Sequence, residues 1–242
     1  MQLAALSDAV PAGDAWLHET KYDGYRLLLS IGGGSARAYT RSGLDWSDRF
    51  DGLTTAAAGL APGSALMDGE AVVLDAKGRS DFQSLQAALK SDPDAVVYYA
   101  FDLLSVDGED LTDLPLLERK ARLRGLIPEG SARILYSDHV RGDGETLFRT
   151  ACERGLEGVI SKRADGRYVG SRAGGWLKTK CVQRQEFAIV GWTPSAKGRG
   201  FRSLILAVNT AHGLRYAGKV GTGFNTVEIA RRRERMAPRE GE

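Results

Sequence analysis

Ala95–Leu104, Ala-Val-Val-Tyr-Tyr-Ala-Phe-Asp-Leu-Leu, is the most apolar run in the chain and reads as a buried strand around which the rest must fold. It falls well short of the ~20 apolar residues of a membrane-spanning helix, and no other stretch approaches that length. The N-terminus lacks the basic-then-apolar layout of a signal peptide. The sequence therefore reads as a soluble intracellular protein that does not engage a membrane. With 242 residues and 43% hydrophobic content, it has material for one large domain, or for one medium and one small domain.

Strand-like and helix-like stretches alternate irregularly around that run. Residues 1–14 read as a lead-in lying across the surface. Ala15–His18 and Tyr25–Ile31 read as strands, with Asp23-Gly24 as a turn between them. Gly32-Gly33-Gly34 reads as a turn into a strand at 36–40. No Gly-Lys-Ser/Thr follows it, so a phosphate loop is not favoured. Helices are expected over Asp45–Leu60, Asp81–Lys90, Leu116–Leu126 (basic and amphipathic) and Glu145–Arg154. Leu66–Asp75 reads as a strand pair, and Ile134–Val140, Gly158–Lys162 and Trp176–Cys181 as strands. This order predicts an α+β fold with antiparallel sheets rather than a parallel α/β fold. Beyond Cys181, Glu186–Trp192, Ser203–Asn209 and Leu214–Val220 read as three short strands of a small β-domain. Arg231–Arg235 then reads as an exposed helix or a frayed end.

Within Glu19-Thr20-Lys21-Tyr22-Asp23-Gly24-Tyr25-Arg26, Lys21 lies at the mouth of the expected hairpin, and Glu19 shares its face if the strand persists. By itself, this stretch reads rather as a solvated lysine beside an Asp-Gly turn, since such turns are common and lysines are mostly exposed.

The motifs that follow change the balance. Lys21-Tyr22-Asp23-Gly24-Tyr25-Arg26 resembles the KxDGxR nucleophile motif of the covalent nucleotidyltransferases: ATP-dependent DNA ligases, RNA ligases and mRNA capping enzymes. Thr40-Arg41-Ser42-Gly43, Met67-Asp68-Gly69-Glu70 and Phe101-Asp102-Leu103-Leu104 resemble that family's next motifs, in its order. Glu157-Gly158-Val159-Ile160-Ser161-Lys162 and Trp176-Leu177-Lys178-Thr179-Lys180 resemble the two after those. Trp16-Leu17-His18-Glu19, Trp176-Leu177-Lys178 and Gly218–Gly223 most resemble the ligase part of bacterial ligase D, an end-joining enzyme.

The resemblance implies two packed antiparallel sheets with flanking helices and a nucleotide in the groove between them. On it, residues 1–182 form the adenylation (nucleotidyltransferase) domain. Residues 183–242 form a partial β-barrel, three of the five strands of an OB-fold, with a basic tail. It also implies attack of the Lys21 amine on the α-phosphate of ATP, giving a lysyl-AMP. AMP would then pass to a DNA 5′-phosphate, and a 3′-hydroxyl would displace it to seal the nick.

A lysine of ordinary pKa, about 10.4, is protonated near neutrality, so the site must make its neutral form accessible. Lys178 and Lys180, two apart on one strand, supply the positive field and hold the α-phosphate. On this reading Asp23 orients Lys21 or forms the turn, and Glu157 contacts Mg2+ or Mn2+. Glu70 and Arg41 contact the ribose and a nearby phosphate, and Arg26 the ribose or the nick phosphate. Phe101 stacks on adenine, and Glu19 accepts from its exocyclic amine.

Charge does not announce a nucleic-acid binder: 33 basic and 31 acidic residues leave a net charge of +2. Binding of nicked duplex DNA must come from local basic surfaces, for which Arg26, Lys162, Arg163, Arg167, Arg172, Arg184 and the stretch 197–202 are candidates. Ligases hold backbone and duplex shape, so binding should be salt-sensitive and sequence-independent. A bacterial Ku protein is the implied end-joining partner, in the cytoplasm and near the nucleoid. Cys152 and Cys181 show no redox or metal spacing and read as small core residues; His18, His139 and His212 form no zinc pattern. No match to the family's sixth, basic motif is found. That leaves open an RNA ligase or capping enzyme, a non-catalytic nick-binding module, or a fragment of a larger enzyme with polymerase or phosphoesterase modules.

Overall fold

The computed structural model describes residues 1–60, 63–172, 175–181, 186–195, 200–221 and 223–236. The chain divides into two compact units, Met1–Cys181 and Val182–Glu242.

The first unit runs β1 (Ala5–Leu6), β2 (Gly13–Thr20), β3 (Tyr25–Gly32), β4 (Ser35–Thr40), α1 (Asp51–Ala58), β5 (Ser64–Val72), α2 (Phe82–Ser91) and β6 (Val97–Val106). It continues with β7 (Glu109–Asp110), α3 (Leu116–Leu126), β8 (Ile134–Tyr136), β9 (His139–Gly142), α4 (Gly144–Glu153), β10 (Gly158–Arg163) and β11 (Trp176–Lys180). One sheet has the order β4-β3-β5-β6-β7, with β8 alongside β6. The other has the order β1-β11-β10-β2-β9. Pairing is antiparallel except for β1 with β11 and β6 with β8.

The expected buried strand is β6, placed between β5 and β7. Alternation sets the core: Leu27, Leu29 and Ile31 of β3 point inward at every second residue. They meet Met67, Tyr98 and Leu103 from neighbouring strands and Leu53, Leu85 and Leu123 from the helices. The β3–β4 turn needs positive φ at Gly33 and Gly34, +58° and +73°, which is where adjacent glycines serve a two-residue hairpin. Asp81 caps α2 by accepting from the Ser84 N–H at 2.7 Å, as its sequence suggests.

Several expectations are corrected. β2 and β3 do not form a hairpin: β2 pairs with β10 and β9, β3 with β4 and β5, and residues 21–24 carry the chain from one sheet to the other. Packing at Gly24 fixes this crossing, because a Cβ there would lie 2.1 Å from the Ala71 carbonyl oxygen. The Asp23 N–H donates to Ser80 Oγ at 2.9 Å. Residues 134–140 are two strands rather than one: β8 pairs with β6 and β9 with β2, so the chain changes sheets again at Ser137-Asp138. The strand pair over 66–75 is the single strand β5, followed by an isolated bridge from Leu74 to Ser80.

The residues before β2 are not a surface lead-in. Gln2 is fully buried, and β1 runs parallel to β11 beside Lys178. Helix α3 keeps only part of its positive charge in water: Arg122 and Arg124 are exposed, but Arg119 and Lys120 are buried. The two cysteines are not separate core residues: antiparallel β10 and β11 return the chain to α4, and Cys152 and Cys181 form a disulfide.

In the second unit, β12 (Ala188–Thr193), β13 (Ser203–Thr210) and β14 (Gly213–Val220) form an antiparallel sheet in that order. They are followed by α5 (Thr226–Met236). Phe201, Leu204 and Ala207 are buried, and the Arg233 guanidinium lies 4.3 Å from the Trp192 ring centre. The arginine-rich stretch is thus helical, with no buried residue. Among the described residues no helix is long and apolar enough to cross a membrane.

Candidate active site

A pocket in the first unit takes its walls from both sheets. The last residues of β2 and the crossing supply Glu19, Thr20, Lys21 and Tyr22, β3 supplies Arg26, and β5 supplies Glu70. Phe101 comes from β6, Ile160 and Lys162 from β10, Trp176 and Lys178 from β11, and Arg41 and Arg172 from loops. The two sheets meet here because the chain crosses between them directly after β2.

The Lys21 ammonium is ion-paired with Glu157 Oε2, and Lys180 Nζ lies 3.0 Å from Glu157 Oε1. One carboxylate therefore joins two of the predicted cations. Burial alone would raise the Glu157 carboxyl, but Lys21 and Lys180 outweigh it and hold the group below its usual range. Lys178 and Lys180 are two apart on β11 and share one face of the strand; Lys178 lines the pocket and Lys180 lies beyond its walls.

Arg26 is held by a bidentate pair with Asp68: Nε to Oδ1 at 2.9 Å and Nη2 to Oδ2 at 2.6 Å. The Tyr168 hydroxyl donates to the same Oδ2 at 2.7 Å. The Arg26 guanidinium lies 5.3 Å from the Phe101 ring centre and 5.4 Å from that of Trp176. Phe101 is consequently a pocket wall rather than a core residue. Glu70 is the pocket's unusual acid: burial pushes its carboxyl up to about 8, with Arg26 and Lys21 opposing and Asp68 and Glu157 adding to the rise.

Glu19 is 2% exposed and accepts from Lys120 Nζ at 2.7 Å and Lys162 Nζ at 2.8 Å. Lys162, expected as a DNA contact, is 1% exposed and is not available to a duplex. A buried carboxylate needs a counter-charge, and Lys162 supplies one to Glu19. Burial lowers the Lys162 ammonium to about 8, with Lys120 adding to the fall and Glu19 opposing it.

Asp23 lies in the crossing, outside the pocket walls, where its backbone serves the turn. Arg41 and Arg172 are exposed at the pocket. Arg163 pairs with Asp165, and Arg167 lies 3.6 Å from Asp113. Arg184 and Lys197 lie outside the described residues.

Sequence reasoning missed Leu3 and Ala4, which line the pocket, and Asp68, Tyr168 and Lys120, which fix its side chains. Only Asp68 had a signal, since it stands inside a quoted motif. Among the described residues no group of three His, Cys, Asp or Glu could hold a metal. Glu157 offers a single carboxylate, with its oxygens on Lys21 and Lys180, and a magnesium-type ion takes one or two carboxylates together with substrate phosphates and waters.

A family profile for the ATP dependent DNA ligase domain matches residues 2–180, the whole of this pocket. The chain belongs to the ATP-dependent DNA ligase family. Within it, the multifunctional non-homologous end joining protein LigD of Pseudomonas aeruginosa is 43% identical over 98% of this chain and 29% of its own length. A probable DNA ligase of Streptomyces coelicolor is 33% identical, covering 96% of this chain and 49% of the relative. The chain thus spans less than a third of the LigD proteins it matches. Among solved structures, a mycobacterial DNA ligase D complexed with ATP and MES superposes with a TM-score of 0.70 at 35% identity. That match covers 98% of this chain and 77% of the other.

Proposed function

We propose that this chain is the catalytic core of a DNA ligase that uses ATP to adenylate Lys21, passes AMP to a DNA 5′-phosphate and seals the nick by 3′-hydroxyl attack. The observation that carries the reading is the pairing of Lys21 with Glu157 at the edge of a pocket that also presents Lys178, Arg41 and Glu70.

In the ion pair the lysine is an ammonium and cannot attack phosphorus. Attack needs Glu157 displaced from Lys21, so that the lone pair of the nitrogen is free. The Lys21 nitrogen then loses its proton to solvent, forms the P–N bond, and pyrophosphate leaves. A divalent ion at Glu157, magnesium or manganese, would neutralise phosphate charge. Lys178 offsets the charge developing at the α-phosphate, and Lys180 holds Glu157 from outside the pocket. Phe101 offers its face to adenine and Glu19 an acceptor to the exocyclic amine. Glu70 and Arg41 meet the ribose and a nearby phosphate.

Nicked duplex DNA is the proposed partner, with Arg172, Arg184 and Arg26 as contacts, and strand closure in bacterial end joining alongside a Ku-type protein as the setting. The LigD relatives support that setting, and a bacterial cytoplasm, close to the nucleoid, would be its place.

Incubation with α-labelled ATP and magnesium or manganese tests the reading. Covalent label that Lys21→Ala abolishes supports it. Absence of label on the wild type, together with failure to seal a pre-adenylated nick, sinks it.

A further inference from the structure

Lys120 is a buried cation beside the pocket to which neither the motifs nor the proposed chemistry gives a task. It lies on α3, 101 residues from Glu19, and it is not among the pocket walls. Its Nζ donates to Glu19 Oε1 at 2.7 Å and to the Ser137 carbonyl at 2.9 Å, and lies 4.6 Å from the Tyr136 ring centre. Ser137 is where the chain changes sheets for the second time. Lys120 thereby ties the last turn of β2 to the second crossing.

Glu19 is heavily engaged on its other oxygen. Oε2 accepts from Lys162 at 2.8 Å and from the Ser137 hydroxyl at 3.3 Å. A carboxylate offers about four lone-pair sites. Three are filled, and the remaining one belongs to Oε1, the oxygen that Lys120 holds. Glu19 and Lys162 line the pocket and Lys120 stands behind it, so the two lysines fix the orientation of the Glu19 carboxylate at the wall.

Adenine presents an amine donor where guanine presents a carbonyl oxygen. A fixed, ionised acceptor at that position favours the first and repels the second, and a site built to satisfy a particular donor discriminates strongly against a base lacking it. From this geometry we infer that Lys120 is a positioning residue for nucleotide choice, fixing the Glu19 carboxylate so that the pocket takes adenine and refuses guanine.

The inference rests on the proposed role of Glu19, and the experiment separates the two. Without Lys120, the carboxylate swings toward Lys162 or takes a proton on Oε1; the first removes the acceptor and the second turns it into a donor that suits guanine.

Lys120→Met is compared with wild type for covalent labelling by ATP and by GTP. Equilibrium binding of each nucleotide is also measured, without divalent metal, by Trp176 fluorescence. The expected result is an ATP-over-GTP preference reduced by at least about tenfold in both readouts. Lys120→Arg, which keeps the charge and a donor, should return the preference to within about threefold of wild type. Should the methionine variant not fold, Lys120→Gln carries the same expectation. A variant that lowers ATP and GTP handling equally, or an arginine variant that restores nothing, overturns the inference. Wild type that takes no label from ATP overturns the reading of the site instead.

Discussion

Arg119 of α3 and Asp102 of β6 form a bidentate ion pair with no solvent exposure on either side, Nε to Oδ1 at 2.7 Å and Nη2 to Oδ2 at 2.9 Å. The remaining guanidinium nitrogen donates to the carbonyls of Leu114 at 2.6 Å and Gly166 at 2.9 Å. A helix, a central strand and the loop before β11 are joined through one side chain. Burial raises the Asp102 carboxyl even so, with Arg119 and Lys162 opposing the rise. Removing one partner leaves a buried charge, which typically costs about 3–5 kcal/mol. Arg119→Met is expected to lose that much in urea unfolding. The double change with Asp102→Leu should recover much of it, and a double variant less stable than the single would contradict this account.

Lys178 faces the pocket from β11 and its predicted work is electrostatic. Taking away one preorganised donor to a developing charge costs about 10²–10³ in rate. Lys178→Ala should slow single-turnover self-labelling by that factor while leaving the unfolding midpoint within ~1 kcal/mol, as expected for a partly exposed side chain. A slowdown accompanied by gross destabilisation would assign Lys178 to the fold instead.

Glu70 gives a stability signature with a definite sign. Its carboxyl sits at about 8 in the folded chain against an ordinary value of 4.5. Between those values the folded state binds the proton more tightly, so the contribution of this group to stability is full below about pH 4.5 and is lost as pH rises toward 8, by up to about 1.4 kcal/mol per pH unit. Glu70→Gln should flatten this part of the profile and gain on wild type as pH increases. Denaturant midpoints measured from pH 5 to 8.5 test it, and parallel profiles would rule it out.

The Cys152–Cys181 bond closes a loop of 29 residues that contains Glu157 and Lys178. Chain-entropy arguments give such a loop about 3–4 kcal/mol of stabilisation. Reduction should lower the unfolding midpoint of the first unit accordingly, and Cys152→Ser should show the lower value with or without reductant. Mass measurement under non-reducing conditions fixes the bond's presence; no change on reduction would remove its structural role.

The sequence and the fold agree where local chemistry decides. Leu27, Leu29 and Ile31 announce a half-buried strand, and Asp81 with Ser84 announces the start of α2. Glu19, Lys21, Glu157 and Lys178 are legible because they stand inside motifs. What could not be read depends on partners far away in sequence. Lys162 looks like a surface cation until β10 is paired with β2, and only then is its neighbour Glu19. Lys120 and Arg119 carry the pattern of a solvated helix face and are nonetheless buried, because acids 101 and 17 residues away receive them. The crossing at Lys21 resembles a hairpin in composition; the contact that rules the hairpin out is made by Ala71, fifty residues later.

Within the first unit's described residues, the chain passes between the two sheets only at residues 21–24 and 137–138. Lys21, the proposed nucleophile, therefore stands on the connection between the sheets while also lining the pocket. The same covalent link that joins the two walls of the groove carries the amine, so the spacing of the sheets and the position of that nitrogen are set by one short, tightly packed segment.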